Sequence, residues 1–458
     1  MRHGRVVLGL GAVLLAWLGP VALPTAQAAS PFDKLQHIII IYQENWSFDS
    51  LYGKFPGANG LANAGQAGQQ VDQHNQPYTA LPQPINTSLQ PPAPDPRFPT
   101  RLPLAPFDAA HYVPADQKTG DLVHRFYQEQ WQINGGQMNK FVAVSDAGSL
   151  AMSYYDATPM PEGQLAQHYT LADHFFHSAF GGSFLNHMFL ICACAPVWPH
   201  APAAVTIHLG ADGSLLKDGQ VTPDGYVVNT AYSVNTPHPT TSTDPTLLVP
   251  NQTAPTIGDR LTDKGIAWAW YAGGWDEALA GRADPLFQYH HQPFVYFAPY
   301  ADGTVAKTMH LQDEQAFLVA LQQSTLPAVA FLKPLGPDNE HPGYADLAKG
   351  QQHVADLVHA VQQSPYWKEA AIIITYDENG GRWDHVAPPP GDRWGPGTRV
   401  PAIIISPYAK KGYVDHTPYE TTSILRLIET RWNLQPLGRH DATAPDLHNA
   451  FDFAQKPE

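Results

Sequence analysis

Five short apolar runs, separated by longer amphipathic or polar stretches, dominate the pattern of hydrophobic and polar positions along this chain. The runs cover residues 38–42, 266–271, 328–332, 372–376 and 402–406. Because they are continuous rather than alternating, they predict parallel strands that are buried on both faces. Apolar residues at helical spacing predict helices over residues 121–145, 257–264, 313–323 and 351–363. Strands that alternate with helices predict an α/β fold, with a largely parallel central sheet and helices on both faces.

Two long segments lack this periodicity. Residues 54–116 are rich in Pro, Gln, Asn and Ala, which predicts an ordered wrap rather than regular helix or strand. Residues 204–252 contain "DGQVTPDGY" and "TPHPTTSTDPT", which predict an irregular insertion with a small hairpin. No repeat period of about 20 to 50 residues is present. We therefore expect residues 30–458 to form a single domain that carries both irregular segments.

The first 29 residues have the three parts of a secretory signal peptide. Arg2 and Arg5 provide a positive start, residues 6–21 are apolar, and Ala26-Gln27-Ala28 is a small-residue cleavage site. The apolar part is too short and too interrupted by Gly and Pro to span a bilayer, and no later stretch is long enough. The sequence therefore predicts an exported protein, periplasmic or secreted, with no transmembrane segment in the mature chain.

Charge and cysteine content narrow the function classes. Removal of the first 29 residues removes two arginines and no acid, so the net charge of −15 becomes about −17. Such an acidic chain is a poor nucleic-acid binder, because that function needs basic surface. Cys192 and Cys194 are two residues apart, where disulfide geometry is hard to reach. We expect them to be buried small residues rather than a redox pair.

Two of the predicted strands are followed by the same types of residue, acids and asparagine. The stretch "IIIIYQEN" ends with Glu44 and Asn45, and the stretch "IIITYDEN" ends with Asp377, Glu378 and Asn379. Sites in α/β proteins collect at the carboxyl ends of strands. Such residues also cap turns and helices, but crowded carboxylates repel one another unless a cation neutralises them. The pattern favours a divalent metal ion of unspecified identity, held by Glu44, Asn45, Asp377 and Glu378.

A serine follows a glycine pair in "GGSFLNHMF", residues 181–189. Gly181 and Gly182 permit a tight turn, and the apolar residues after Ser183 predict a helix. Ser183 would then be either a helix cap or a nucleophile in the field of a helix N-terminus. Asn186 and His187 lie within about one turn of it and are candidate phosphate contacts. Leu185 stands where the second Gly of a G-x-S-x-G elbow would fall, so this is not that motif.

Several of the 22 histidines lie in unusual local sequence. His290 and His291 are adjacent in "FQYHHQPF", His341 lies in "DNEHPG", and Asp384 and His385 lie in "GGRWDHVAPP". Adjacent histidines before Gln-Pro predict a loop, and either side chain could face a site. Histidines that bind a phosphoryl group act best as cations, which predicts an acidic optimum, roughly pH 5 to 6.5.

Taken together, these motifs and "YQENWSFDSLYG" resemble the bacterial phosphoesterase family of acid phosphatases and non-haemolytic-type phospholipases C. The resemblance covers nearly all of the chain after the predicted signal peptide, and it implies an alkaline phosphatase-like fold. It implies that the strand-end acids and Asn45 bind metal and that Ser183 is the nucleophile. His341 and one of His290 and His291 would contact phosphate, whereas Asp384 and His385 have no firm role. His187 stands where many phospholipases of the family have arginine.

The resulting expectation is an exported, metal-dependent acid phosphatase that acts on small phosphate monoesters through a covalent phosphoserine. The chain stops soon after "SILRLIETRWNL", which favours that compact branch over relatives with long C-terminal extensions. The alternative is a phospholipase C that acts on the phosphodiester head groups of phospholipids. A non-catalytic exported binding module is a remote third alternative, because nucleophile, ligands and histidines are all present.

Overall fold

A computed structural model describes residues 1, 3, 4 and 30–457 of the chain. The predicted signal peptide lies almost wholly outside the described residues. Eight strands form the central sheet, in chain order β1 (His37–Gln43), β2 (Thr170–Ala172), β3 (Trp268–Ala272), β4 (Leu311–Asp313), β5 (Val329–Lys333), β6 (Ala370–Tyr376), β7 (Ala402–Ile405) and β8 (Tyr413–Asp415). Their order across the sheet is β4-β3-β5-β1-β6-β7-β2-β8. All five predicted strands are present.

The sheet is largely parallel, as predicted, but β7 is an exception. It pairs antiparallel with both β6 and β2, while every other pairing in the sheet is parallel. The prediction of a parallel strand over 402–406 is therefore wrong. A parallel neighbour needs a crossover that returns the chain to the opposite edge. Residues 377–401 contain no helix or strand, so β7 starts from the edge at which β6 ended.

The central strands are covered on both faces. Every residue of β6 is buried, and so is every residue of β1 after His37. Because successive side chains of a strand point to opposite faces, this continuous burial requires helices or loops on each side. Large apolar side chains supply the packing, and burial of each one contributes about 1.5–3 kcal/mol.

Twelve α-helices accompany the sheet among the described residues. They are α1 (Phe48–Tyr52), α2 (Phe126–Ile133), α3 (Phe141–Val144), α4 (Pro161–His168), α5 (Ser183–Cys192), α6 (Ile257–Asp263), α7 (Trp275–Leu279), α8 (Val305–His310), α9 (Glu314–Gln323), α10 (Leu347–Gln362), α11 (Thr421–Trp432) and α12 (Arg439–Thr443). Three of the four predicted helices are confirmed as α6, α9 and α10. The helix predicted over 121–145 is instead two short ones, because Asn134 is left-handed and two glycines with positive φ follow it.

The two irregular segments are built of short pieces. In residues 54–116, Leu81–Pro82 pairs with Arg101–Leu102, Ile85–Asn86 pairs with Ala93–Pro94, and Phe107–Asp108 pairs with Ser153–Tyr154. This wrap covers a second hydrophobic cluster that includes Trp383, from the loop after β6. The hairpin predicted in 204–252 is formed by His208–Leu209 and Leu215–Lys217. A further short pair joins Phe175–Phe176 to Tyr419–Glu420.

The two cysteines form a disulfide, which corrects the sequence-based expectation. Cys192 ends helix α5, and Ala193 then takes a left-handed conformation with φ of 49°. That reversal brings the Cα atoms of Cys192 and Cys194 to 5.1 Å, a separation that a disulfide can span. Spacing alone does not exclude the bridge once the chain turns sharply between the two residues.

None of the described helices has both the length and the apolar character needed to cross a membrane.

Candidate active site

The four predicted metal ligands lie together at one edge of the sheet. Gln43 and Tyr376 end β1 and β6 opposite each other in a parallel register, so the residues after them are neighbours. We call Glu44, Asn45, Asp377 and Glu378 the strand-end cluster; each is at most 1% exposed. The backbone N–H of Asn45 donates to Asp377 Oδ1 at 3.1 Å and so joins the two pairs. The prediction that both strand ends meet at one place is confirmed.

Close backbone packing holds the two strand ends in contact. Gly380 has φ of 61°, and a Cβ there would lie 2.4 Å from the carbonyl oxygen of Asn45. Only glycine fits such an approach in that conformation. Asn45 itself has φ of 67°, a left-handed conformation that asparagine tolerates better than most residues. The motif "ENGG" therefore determines the local geometry as well as supplying a candidate metal ligand, Glu378.

The oxygen atoms of the cluster fit a hard divalent cation. Among the described residues, no hydrogen-bond partner is found for the buried oxygens Asn45 Oδ1, Asp377 Oδ2 and Glu378 Oε1. Buried polar atoms are nearly always paired in folded proteins. Carboxylate and amide oxygens are also the donors that hard divalent ions prefer. Glu44, His187 and His291 in addition present ligand atoms that all lie within 4.8 Å of one another.

The protonation of the cluster reflects its burial and its crowding. Burial, then the charge of Glu44, raises the pKa of Asp377 to about 7. Burial, then the charge of Asp377, raises the pKa of Glu378 well above its ordinary value. Burial also acts to raise the pKa of Glu44, but His291 in its protonated form and the charge of Lys333 hold it well below its usual range. A bound cation would favour the charged form of all three carboxylates.

A lysine that the sequence analysis did not select lies inside the site. Lys333 ends strand β5, and its Nζ is 2.6 Å from Glu44 Oε1 and 3.9 Å from Asp377 Oδ2. The side chain is fully buried. A lysine before Pro-Leu-Gly suggests an exposed turn. The one feature of the sequence that could have identified Lys333 is its position at the end of a predicted strand. That position puts it at the same edge of the sheet as the acids.

Ser183 begins helix α5 beside this cluster. The N-cap residue is Gly182, which makes no side-chain cap bond, and Ser183 is the first helical residue. Its hydroxyl stabilises the charged form of Asp377. The alternative of Ser183 as a helix cap is therefore not supported by the geometry. The free N–H groups at the N-terminus of this ten-residue helix suit a phosphoryl group that is carried on Ser183.

A buried ion pair supports the turn before Ser183. Gly181 N–H donates to Glu129 Oε2 at 2.6 Å, and Glu129 Oε1 lies 2.8 Å from His177 Nε2. The backbone N–H and the hydroxyl of Thr398 also donate to Glu129 Oε1. Burial acts to lower the pKa of His177, but the charge of Glu129 raises it above the ordinary value. Glu129 was not selected from the sequence, since it lies far from the motif that it supports.

Asn186 and His187, the two predicted phosphate contacts, make other contacts in the structure. Asn186 Nδ2 donates to the carbonyl of Ala179 at 2.9 Å, and Asn186 Oδ1 accepts from the N–H of Ala179. Asn186 therefore holds the chain before Ser183 rather than pointing at a phosphoryl group. His187 stacks parallel to His291, with ring centroids 5.1 Å apart, and its Nδ1 bonds to the carbonyl of Ser183. Burial lowers its pKa well below the ordinary value, so it resembles a neutral ligand more than a cation.

The three other histidines meet at the site. His291 Nε2 lies 2.6 Å from Glu44 Oε1, and His341 Nε2 lies 3.9 Å from Glu44 Oε2. The ring of His290 is 4.6 Å from that of His291, so both members of the pair belong to this region. Burial lowers the pKa of His291 to about 4 and that of His290 well below its usual value. Burial thus disfavours the cationic form of these two histidines, and the acidic optimum expected from the sequence stays a prediction.

Asp384 and His385 lie in a separate buried ionic cluster. Arg399 Nε donates to Asp384 Oδ1 at 2.9 Å, and His385 Nδ1 lies 2.6 Å from Asp49 Oδ2. The backbone N–H of Asp49 also donates to Asp384 Oδ2. These bonds anchor helix α1 to the loop after β6. Their contacts indicate a structural role rather than a part in chemistry.

His124 is a second site residue that the sequence did not reveal. Its Nε2 lies 3.7 Å from Glu378 Oε1 and 3.3 Å from Asn45 Nδ2. A Cβ on Gly182 would lie 2.7 Å from the carbonyl oxygen of His124, so His124 also packs against the turn before Ser183. It lies in the segment predicted as a long helix, where nothing distinguished it from the other histidines.

Comparison with known proteins gives consistent matches. A model of the phosphoesterase family matches residues 35–435. Phospholipase C A of Mycobacterium tuberculosis is 25% identical over 508 residues, covering 98% of this chain and 84% of the relative. Non-hemolytic phospholipase C of Burkholderia pseudomallei is 26% identical over 518 residues, covering 97% of this chain and 63% of the relative. A solved structure of an alkaline phosphatase superfamily protein from Vibrio parahaemolyticus aligns with a TM-score of 0.36 and 11% identity, covering 73% of this chain and 74% of that one.

Proposed function

This chain belongs to the phosphoesterase family, and from that premise we propose that it hydrolyses phosphate esters with Ser183 as the nucleophile. One arrangement carries the proposal. Ser183 begins a helix beside Asp377, within a buried group of three carboxylates, an amide and several histidines. A structural cluster of this kind would be expected to pair its own oxygens. Here several buried oxygens are left for a ligand.

The residues divide the chemistry between them. The strand-end cluster would hold a divalent cation, whose charge favours the ionised serine hydroxyl and offsets negative charge on the phosphoryl group. The ionised Ser183 Oγ attacks phosphorus, the bond to the leaving alcohol breaks, and the phosphoryl group remains on Ser183, still esterified to its second alcohol when the substrate is a diester. Backbone N–H groups at the start of α5 donate to the phosphoryl oxygens. His341 donates a proton to the leaving alkoxide, and water then hydrolyses the ester bond between Ser183 and phosphorus.

For the substrate class we favour phosphodiesters of the phospholipase C type over the monoesters that the sequence motifs suggested. Two relatives that cover at least 97% of this chain are named phospholipase C. An acid phosphatase uses the same nucleophile, so the site alone accommodates both reactions. Substrate discrimination must arise from the surface around the site.

A substrate panel tests the proposal. Hydrolysis of p-nitrophenyl phosphate, p-nitrophenylphosphorylcholine and phospholipids in mixed micelles is measured with and without a chelator. We expect chelator-sensitive diesterase activity that exceeds monoesterase activity. Faster monoester turnover would instead support the acid phosphatase. No turnover of any phosphoester by the metal-loaded protein would refute the proposed function.

Acid quenching tests the covalent step. A phosphoryl substrate is mixed with the protein, turnover is stopped in acid, and the labelled peptide is mapped. We expect the label on the peptide that contains Ser183. Label trapped on another residue would exclude Ser183 as the nucleophile.

We also propose that the protein acts outside the cytoplasm, either in the periplasm or after secretion. The signal-like residues 1–29 support this location. The disulfide between Cys192 and Cys194 supports it independently, because disulfides persist mainly in oxidising compartments. N-terminal sequencing of the protein recovered from its source would test the location, and the expected first residue is Ser30, because residues 1–29 are the predicted signal peptide. An N-terminus that retains the first 28 residues would contradict export by cleavage.

A further inference from the structure

A groove opens beside the candidate active site. Its volume is about 810 Å³, and it is lined by residues 86–88 and 97 of the wrap, by residues 118–125 and 146, and by Gly343 and Tyr344. His124 connects it to the chemistry, because its Nε2 is 3.7 Å from Glu378 Oε1. Tyr344 forms a second connection between the groove and the candidate active site, because its ring stacks on that of His341 with centroids 4.2 Å apart. A group attached to a phosphate at Ser183 can therefore extend into this groove.

The lining contains hydrogen-bond donors and acceptors, and it carries both positively and negatively charged side chains. It includes Thr87, Ser88, Lys118, Asp121, Arg125 and Asp146. Arg125 is paired with Asp218, at 2.6 Å from Nε to Oδ2. Lys118 is exposed, and no acid among residues 30–457 forms an ion pair with its side chain. A ligand that only accepts, or only donates, would leave half of these groups unmatched.

The groove is a poor site for a quaternary ammonium head group. Such cations are bound by the faces of several aromatic rings. Apart from His124, the only aromatic residue among the described lining is Tyr344, and one face of its ring is covered by His341.

We propose that this groove selects phosphoesters whose alcohol is a polyol, such as inositol or glycerol, over phosphocholine esters. The inference rests on the proposed phosphoesterase function and specifies its substrate class. Each hydroxyl of a polyol both donates and accepts. A polyol can therefore match the carboxylates of Asp121 and Asp146 and the ammonium group of Lys118 at the same time.

Binding of soluble head-group phosphates tests the groove without turnover. In the Ser183→Ala protein loaded with a divalent cation, calorimetry compares inositol 1-phosphate, glycerol 3-phosphate and phosphocholine. Inorganic phosphate serves as the reference for the phosphoryl position alone. We expect the polyol phosphates to bind at least about tenfold more tightly than phosphocholine. Equal affinities, or tighter phosphocholine binding, would overturn the proposal.

Substitution of Lys118, with a control lysine outside the groove, tests whether the preference for polyol phosphates arises in this groove. We expect Lys118→Ala, made in the same background, to reduce the ratio of polyol phosphate to phosphocholine affinity about tenfold. Lys264 is exposed and lies outside the groove lining, so Lys264→Ala should leave that ratio unchanged. If both lysine variants keep the ratio of the parent, the selectivity does not come from this groove.

Turnover of matched phospholipids distinguishes failure of the groove selectivity from failure of the phosphoesterase function. Diacylglycerol release is compared for phosphatidylinositol, phosphatidylglycerol and phosphatidylcholine in neutral mixed micelles. Faster release from the first two supports the groove, and faster release from phosphatidylcholine overturns it. If no phosphoester of any kind is hydrolysed, the proposed function fails, whereas the affinity ratio still decides what the groove binds.

Discussion

Lys333 Nζ lies 2.6 Å from Glu44 Oε1, and both side chains are buried at the end of the sheet. This ion pair introduces one fixed positive charge among three buried carboxylates, those of Glu44, Asp377 and Glu378. Burial of unpaired charge costs several kcal/mol per ion. One lysine can compensate only part of this negative charge. The remainder explains why a divalent cation suits the site, and it makes the role of Lys333 testable.

We expect Lys333→Met to destabilise the metal-free protein by about 3–5 kcal/mol, because it leaves Glu44 buried without its nearest cation. The loss is measured by denaturant unfolding in the presence of a chelator. Addition of a divalent cation should restore part of the stability, since an ion that binds only the folded state stabilises it. The exposed Lys264→Met is the control and should change stability by no more than about 0.5 kcal/mol. Chelator-treated Lys333→Met with the stability of the parent would contradict the role of this ion pair.

Chelation should abolish turnover and lower the Tm of the parent protein. The Ser183→Ala protein should show the same fall in Tm, because its metal ligands are intact. Glu378→Gln should show a smaller fall, because it weakens the cation site itself. The measurement is thermal unfolding of the three proteins with and without a chelator. An equal fall in Glu378→Gln would remove Glu378 from the ligand set.

Ser183→Ala should reduce kcat by at least about a thousandfold, because no other group takes over a lost nucleophile. Stability should change by about 0.5–1.5 kcal/mol, since Ser183 is not the N-cap residue and its loss removes one buried hydrogen bond, to Asp377. A serine that acts only as a helix cap would instead leave turnover nearly intact when it is replaced. Kinetics distinguish the two roles, and an unfolding experiment confirms that the variant is folded. Turnover near that of the parent would reject the nucleophile assignment.

Glu129→Gln tests whether the buried pair with His177 positions the nucleophile. The substitution replaces one acceptor oxygen by an amide that faces the donors of Gly181 or Thr398. We expect kcat to fall about 10- to 100-fold with a smaller change in KM, because the turn before Ser183 shifts. Glu277→Gln, at an exposed ion pair, is the control. If kcat is retained in a folded Glu129→Gln protein, the pair has only a structural role.

A second buried acid pair behind the site predicts how stability depends on pH. Tyr376 Oη donates to Glu340 Oε2 at 2.8 Å and lies 3.1 Å from Glu162 Oε2. Burial raises the pKa of both carboxyls, and for Glu162 the charge of Glu340 adds to the effect. The folded state therefore retains protons that the unfolded state releases. Stability from this pair is full below the ordinary Glu pKa and falls as pH rises toward the raised values.

Glu162→Gln isolates that contribution, because glutamine keeps an acceptor for Tyr376 and cannot ionise. Urea unfolding at about pH 5, 7 and 9 compares the variant with the parent. We expect the parent to lose more stability over this range than Glu162→Gln, since titration of the other groups is common to both. Equal losses would show that the pair does not share a retained proton.

The sequence by itself determined the strand-end cluster and the position of Ser183. Continuous apolar runs before Glu44 and Asp377 require buried strands, and parallel strands carry their ends to one edge of the sheet. Gly181 and Gly182 followed by an apolar helical pattern place Ser183 at a helix N-terminus. These features follow from local patterns, because each depends on the period and backbone freedom of a few consecutive residues.

Only the tertiary structure decided which distant side chains complete the site. The direction of β7 depends on whether residues 377–401 cross the sheet, and a local apolar run carries no information about that. Lys333, His124 and Glu129 have no shared motif with the residues that they contact. The disulfide between Cys192 and Cys194 depends on a single left-handed residue. In each case the deciding quantity is a distance set by packing between segments far apart in the chain, or by one backbone torsion, and neither is expressed in the periodicity of the sequence.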